Sequence, residues 1–414
     1  MRSNTRSFMP RQAALLGVMA VVALNVPLSA SANPMTFEGT VGDDKVIVEF
    51  TDDPLGGTAR VEGRFSFADD GSDIPLIFDR RAAATLVLNQ EGPCKDGECA
   101  DTGPIVDAVW TLEPGARQGL VGQWRKDSDI RKIMLHPLGQ RPRGAFEGAT
   151  AHGLAGASEA VSMSDETIGP ETHPYEFAKL NIPLEVQAKA EFNGSIVSYR
   201  VDPRTKFISP RVDQLADGSS TATINEFLKQ GHWRKNLAAL GCRALRYRTF
   251  RGEDGGWTSD TGSLGGYDDT TVRVTYVNAG VLSFIESGSL WCGGASPTNF
   301  IKPVTVDVQR GKVISPTTLF AEWTDAGPGE KLNALVRSRA RDGEGMEDSD
   351  CSLEQLGSYL TAYLVQGTGG RPEVTFGIYN LPTVIAACSR DLATMSIDEV
   401  REQLTPEGKD LLTD

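Results

Sequence analysis

Between Thr36 and Leu138 the chain alternates apolar and polar residues in short runs separated by turns. Ala59, Val61, Gly63, Phe65 and Phe67 fall on one side of an extended strand, and Arg60, Glu62, Arg64 and Ser66 on the other. Successive side chains of a strand point to opposite faces, so this period of two predicts a half-buried strand. Val46, Val48 and Phe50 repeat the pattern, as do Val106, Ala108, Trp110 and Leu112. Turn residues separate the runs, as in Gly42-Asp43-Asp44, Asp53–Gly57, Asp69-Asp70-Gly71 and Glu113-Pro114-Gly115. Many short strands with regular turns predict an all-β meander over residues 35–138, closed as a small barrel or sandwich. No helical pattern interrupts it.

The start of the chain reads as an export signal over residues 1–32. Arg2, Arg6 and Arg11 precede the apolar run Ala13–Val26, and Ala30-Ser31-Ala32 fits a small-x-small cleavage site. Its removal takes away three arginines and no acids, so a formal charge of −14 becomes −17. Such a chain repels nucleic acid and anionic membrane surfaces, and attracts basic partners at low salt. A periplasmic or secreted location is expected, with no further membrane insertion. Six cysteines, all beyond the signal, suit an oxidising compartment. They allow 15 pairings. Sequence order favours Cys94–Cys99, Cys242–Cys292 and Cys351–Cys388.

Residues 139–172 are rich in Gly, Ala, Ser and Glu and read as a linker holding at most a short packed piece. From residue 173 to 414 strand and helix signals mix. Thr223–Glu226, Ser352–Gln355 and Ser396–Glu399 each have the form of a capping box. Leu356, Tyr359, Leu360 and Tyr363 follow the second along one helical face, and Leu332, Leu335 and Val336 predict another helix. Val272, Val274 and Tyr276, then Val304, Val306 and Val308, then Glu373–Tyr379 predict strands. The fold expected for this half is α+β: an antiparallel sheet with helices packed on one side.

Sequence motifs for catalysis are missing. None of His136, His152, His173 and His232 lies in an H-E-x-x-H pattern or at ligand spacing from a cysteine, so no metal is expected. Neither Gly262-Ser263-Leu264 nor Gly288-Ser289-Leu290 forms a nucleophile elbow. Gly367-Thr-Gly369-Gly370 lacks the Lys-Ser/Thr of a phosphate loop. Asp342–Asp350 and Asp69–Asp73 are acidic enough to suggest calcium but lack its loop spacing, and read as solvated loops. No cofactor is implied. Trp233, Trp257 and Trp291 are the aromatics that could serve binding; Trp257 sits in the polar loop Gly252–Gly266, whereas the other two read as more buried.

A strand ending in Ser289-Leu290-Trp291-Cys292 leads into Gly293-Gly294-Ala295-Ser296-Pro297. Val304-Thr-Val-Asp307, Arg310-Gly311-Lys312 and Ser315–Phe320 follow. On these residues the C-terminal half, roughly Pro174–Leu412, resembles the ectodomain family of lysozyme-sensing anti-sigma factors, which also accompanies some peptidoglycan deacetylases. The family usually has His where this chain has Ser296. The resemblance implies an α+β sensing or binding module rather than an enzyme. Gly119-Leu-Val-Gly122-Gln-Trp124, with Trp110-Thr-Leu, resembles more loosely a β-rich module found ahead of that domain in other exported proteins. The expected function is a non-catalytic cell-envelope protein that binds a basic protein such as lysozyme, or a peptidoglycan fragment. Trp257, Trp291 and Ser296 are its candidate contacts. The alternative is a hydrolase acting on envelope polymers.

Overall fold

Eight antiparallel strands follow one another around a closed barrel: β1 (Met35–Val41), β2 (Asp44–Phe50), β3 (Gly63–Phe67), β4 (Ile74–Ala82), β5 (Thr85–Glu91), β6 (Val106–Pro114), β7 (Leu120–Lys126) and β8 (Asp129–Gln140). These come from a computed structural model. It describes residues 33–412 apart from 57–59, 94–104, 143–149, 248, 252–256, 260–266, 291, 293–297, 341–350 and 352. The expected export signal, the Cys94–Cys99 pair and the acidic loop Asp342–Asp350 therefore lie outside the described residues.

Inward positions alternate along every strand and fill the barrel. Phe37, Val48, Phe65, Leu76, Leu88, Trp110 and Ile133 are all wholly buried. Phe65 meets Trp110 at 4.8 Å between ring centroids, and Phe37 meets Phe50 edge-on at 5.6 Å. At eight strands a barrel is just wide enough to be filled by its own side chains, so its interior is a core and not a channel. The seam between β1 and β8 closes it, and here Gly39 is required. A Cβ at Gly39 would stand 1.9 Å from the Met134 carbonyl oxygen. Gly39→Ala is expected to pry the seam apart and cost about 1–3 kcal/mol, the usual toll of overpacking; a urea unfolding curve checks it.

The interval expected to be a linker holds α1 (Ala151–Met163). Thr150 caps it by accepting from the Gly153 amide at 3.1 Å. Its buried face is Ala151, Leu154, Ala155, Ala157, Ser158 and Val161. Small side chains on that face let it approach β3 and β4 closely, which is also why it reads as low-complexity linker in the sequence. The short helix α2 (Pro174–Leu180) follows, starting on a proline whose missing N–H is no loss in the first turn.

Next come β9 (Glu185–Phe192), β10 (Ser195–Val201) and β11 (Ile208–Gln214), a sheet in the order β11-β10-β9. Helix α3 (Ala222–Ala244) packs against β11. Its N-cap is Thr221, without a side-chain cap bond, so the expected Thr223–Glu226 capping box does not form. Asn225 does different work: its amide donates to the Val212 carbonyl at 2.8 Å and its oxygen accepts from the Val212 amide at 2.9 Å. It thereby satisfies the exposed edge of β11 as a neighbouring strand would.

After the short hairpin β12 (Thr249–Arg251) and β13 (Trp257–Ser259) comes a four-stranded sheet: β14 (Tyr267–Val277), β15 (Val281–Leu290), β16 (Thr298–Asp307) and β17 (Lys312–Val313). One face, with Val272, Val274, Phe284, Val304 and Val306, shares a core with Ile224 and Leu228 of α3. The pairing of β14 with β15 shifts between Val274 and Tyr276. The bulge turns Tyr276 to the other core, so the alternation expected from the sequence breaks there. The second face meets β18 (Leu360–Gln366). Thr275 donates to the Leu364 carbonyl at 2.6 Å and Ser283 accepts from the Leu364 amide at 3.1 Å.

Strand β18 begins a last sheet with β19 (Pro372–Ile378) and β20 (Arg390–Ser396). Leu360 and Tyr363 thus belong to a strand, and the helix expected to run through them stops early. The helices of this region are α4 (Pro316–Leu319), α5 (Glu330–Arg339), α6 (Leu353–Leu356), α7 (Ile397–Val400) and α8 (Pro406–Leu412). The capping box at Ser396–Glu399 is present at the start of α7. Cys242–Cys292 and Cys351–Cys388 are disulfide-bonded, with Cα separations of 5.4 and 5.3 Å. The architecture is α+β, an all-β barrel followed by antiparallel sheets with helices.

Candidate functional site

Two polar constellations stand on the barrel, one sealed and one open. The sealed one lies on the outer faces of β2 and β3. Glu49 and Arg64 are cross-strand partners, and both are wholly buried. Arg64 binds Glu49 at 2.8 Å, Asp73 at 3.1 Å and Glu176 of α2 at 2.6 Å, and donates to Ser158 of α1 at 2.9 Å. Arg141, just past β8, binds both Glu49 and Glu176. Lys179 binds Asp73 at 2.7 Å, and the Tyr175 hydroxyl donates to the same oxygen at 2.6 Å. Lys179 lies one turn from both Tyr175 and Glu176 on α2, so all three reach the cluster. Glu62 adds a further tie, accepting from the Ala151 amide at the start of α1 at 2.9 Å.

Three cations meet three carboxylates in this cluster, so it is neutral as a whole. Burial alone would raise the carboxyl pKa of Glu176, yet Arg141 and Arg64 drive it far below the usual carboxylate range. Burial acts the same way on Asp73, and Lys179 and Arg64 pull it below its ordinary value. Lys179 is also held low, because its loss of hydration outweighs the attraction of Asp73. With every charged member shielded from water, the cluster is a fastening between the barrel and the two helices. It corrects one expectation: Asp73 ends a stretch read as a solvated acidic loop, and it is fully buried.

The open constellation is a cup of about 550 Å³ at the barrel mouth. Gln90 sets its floor. The Gln90 side-chain oxygen accepts from Trp110 Nε1 at 3.1 Å and Trp124 Nε1 at 2.8 Å. Its amide donates to Asp107 at 3.3 Å. Arg131 lies over the Trp124 ring at 5.0 Å and binds Asp44 at 2.8 Å and Asp129 at 2.9 Å. Lys126 binds Asp107 at 2.6 Å. The far wall comes from beyond α3, where Arg246 reaches Asp70 at 3.4 Å and Tyr247 packs against the barrel core. Two charged groups of the cup, Lys45 and Asp69, are exposed and make no ion pair among the described residues. The cup therefore offers one unpaired cation and one unpaired anion within a ring of paired charges.

Ser296 and Trp291 lie outside the described residues. Trp257 opens β13 opposite Arg251, and its side chain is outside the described set. Trp233 is core: it packs edge-on against Phe177 at 5.7 Å. Of the histidines, His136 is exposed, His152 bonds Glu91 at 2.7 Å, His173 bonds Arg141 and Glu166, and His232 bonds Asn236. Among the described residues no cluster of three or more His, Cys, Asp or Glu is arranged to hold a metal. None of them forms a helix long and apolar enough to cross a membrane. Sequence reasoning touched the cup at Asp44, Phe67, Asp69-Asp70 and Trp124, read as turn, strand or motif residues and not as a site. The opposite charges Lys126 and Asp129, flanking the β7–β8 turn, were the signal available for the rest.

No protein-family model matches the chain, and no curated protein matches it. Among solved structures, a hypothetical protein from Leishmania major aligns at 8% identity over 89% of this chain and 86% of its own. The TM-score of 0.16 gives that alignment no weight on fold or function.

Proposed function

We propose that this chain is an exported, non-catalytic binding protein of the cell envelope. Its barrel mouth takes a polar ligand that carries both charges, and a peptide-bearing peptidoglycan fragment fits that description. The observation that carries this reading is the pair Lys45 and Asp69, exposed and without an ion pair among the described residues, in a cup whose other charged groups are each ion-paired. A carboxylate and an amine on one ligand complement them. Binding sites occur preferentially at the mouths of barrels, where a rigid wall holds a few convergent polar groups. The likeness of the C-terminal half to envelope-sensing ectodomains and the apparent export signal agree with it. A basic protein such as lysozyme is the second partner class, supported by the −17 charge left after signal removal.

Titration calorimetry with disaccharide-peptide fragments tests the cup. Lys45→Glu and Asp69→Lys are each expected to weaken binding about tenfold, the value of one charge-assisted hydrogen bond. Lys331→Glu, an exposed change on α5 outside the cup lining, should leave it unchanged. Equal affinity in all four proteins would remove the barrel mouth as the site. Lysozyme capture over a salt series tests the second partner, and retention that ignores salt would count against charge steering.

A further inference from the structure

A second cavity, of about 300 Å³, lies between α3 and the β15–β16–β17 side of the four-stranded sheet. It is independent of the barrel mouth, and its two ends differ in chemistry. Helix residues Phe227, Gly231 and Lys235 step along it one turn at a time, with Leu228 and His232 beside them. Across from them, Phe284 pairs with Val304, and two residues further along Glu286 pairs with Lys302. One end is therefore apolar, with Phe227, Phe284, Val304 and the exposed Val313. The other end holds His232, Lys235, Glu286 and Lys302. Lys235 already binds Glu286 at 2.5 Å. Lys302 is exposed and makes no ion pair among the described residues, and Arg234 of the lining bonds the Ser164 and Glu166 carbonyls, so the lining carries an excess of positive charge.

His232 borders the cavity, but its Nε2 accepts from the Asn236 amide at 2.9 Å and its Nδ1 is buried, so the ring offers no donor that a ligand in the cavity reaches. Gly231 supplies room: a Cβ built there has no atom within 4 Å.

We propose that this cavity binds a straight-chain carboxylate, with the acyl chain along Phe227, Gly231 and Phe284 and the carboxylate at Lys302. The full, disulfide-bonded chain should bind decanoate saturably at one site by titration calorimetry, at least tenfold tighter than decanol. Decylamine should not bind. Lys302→Glu, an exposed change, should remove the preference for decanoate and leave decanol binding as it was. Gly231→Leu places a side chain in the cavity and should abolish binding of both ligands while the far-ultraviolet spectrum is unchanged. Decanol binding as tightly as decanoate, Lys302→Glu keeping the preference, Gly231→Leu binding like the parent, or no saturable binding at all would each overturn the proposal.

Discussion

Arg64→Met is expected to lower the free energy of unfolding by about 3–5 kcal/mol, the cost of breaking a buried ion pair by removing one partner. Arg64 is wholly buried and binds three carboxylates at once. Without it, Glu49, Asp73 and Glu176 share only Arg141 and Lys179, and one negative charge is left in a site closed to water. Methionine fills much of the space but supplies none of the hydrogen bonds. The exposed pair Arg80–Asp79 is the matched control, and Arg80→Met should change stability by about 0–1 kcal/mol. Urea titration of both variants decides: equal losses would mean that the cluster is not a fastening.

The same cluster fixes a pH dependence. The folded-state pKa values of Asp73 and Glu176 are depressed below their ordinary 3.8 and 4.5. A carboxylate depressed on folding contributes stability that is full above the unfolded pKa and is lost as the pH falls through the folded one. The urea midpoint of the parent protein should therefore hold its contribution from these two groups down to about pH 4.5 and decline only below it. In Arg64→Met both groups lose a cation, so that contribution is smaller and the acid-side loss of midpoint is shallower. A parallel decline in the two proteins would show that Arg64 is not what holds these carboxyls down.

What the sequence revealed and what it hid follow from one physical distinction. The inward face of the barrel was legible because burial against a core demands apolar residues at a period of two, and Val61 and Phe65 announce it. The outward face was misleading. Glu62, Arg64 and Ser66 alternate like a solvated surface, yet all three are buried, because helices more than eighty residues later in the chain cover them. A charge matched by distant charges looks in sequence like a charge matched by water. Helix α1 was hidden for a related reason: the close approach that the cluster needs selects Ala and Ser, which carry little periodic signal. Local rules fared unevenly. Ser396 caps its helix as expected, but Asn225 of α3 is taken by the edge of β11, and the Leu356–Tyr363 pattern is cut by a strand. The cup combines hairpin turns of the barrel with Arg246 and Tyr247, an assembly that only the tertiary fold creates.

The Cys242–Cys292 bridge joins these two levels, stability and site, and its removal should affect both. It spans 50 residues, and closing a loop of that length restricts the unfolded chain by about 4 kcal/mol in the chain-entropy description. Cys351–Cys388 spans 37 residues, so the two bridges should stabilise to nearly the same degree. Their positions differ. Cys242 lies in the last turn of α3, and Arg246 and Tyr247 of the cup wall follow it within five residues. Cys351 precedes β18 and Cys388 lies between β19 and β20, in a core separate from that of the barrel, and neither lines the cup. Cys242→Ser with Cys292→Ser should therefore lower stability by about 4 kcal/mol and also weaken binding of the disaccharide-peptide at temperatures well below unfolding. Cys351→Ser with Cys388→Ser should cost about as much stability and leave that affinity unchanged. Calorimetric affinity and urea midpoints on the two double variants separate the effects. If both lose affinity alike, the bridges act only through global stability, and the wall contributed by α3 has no special part in the cup.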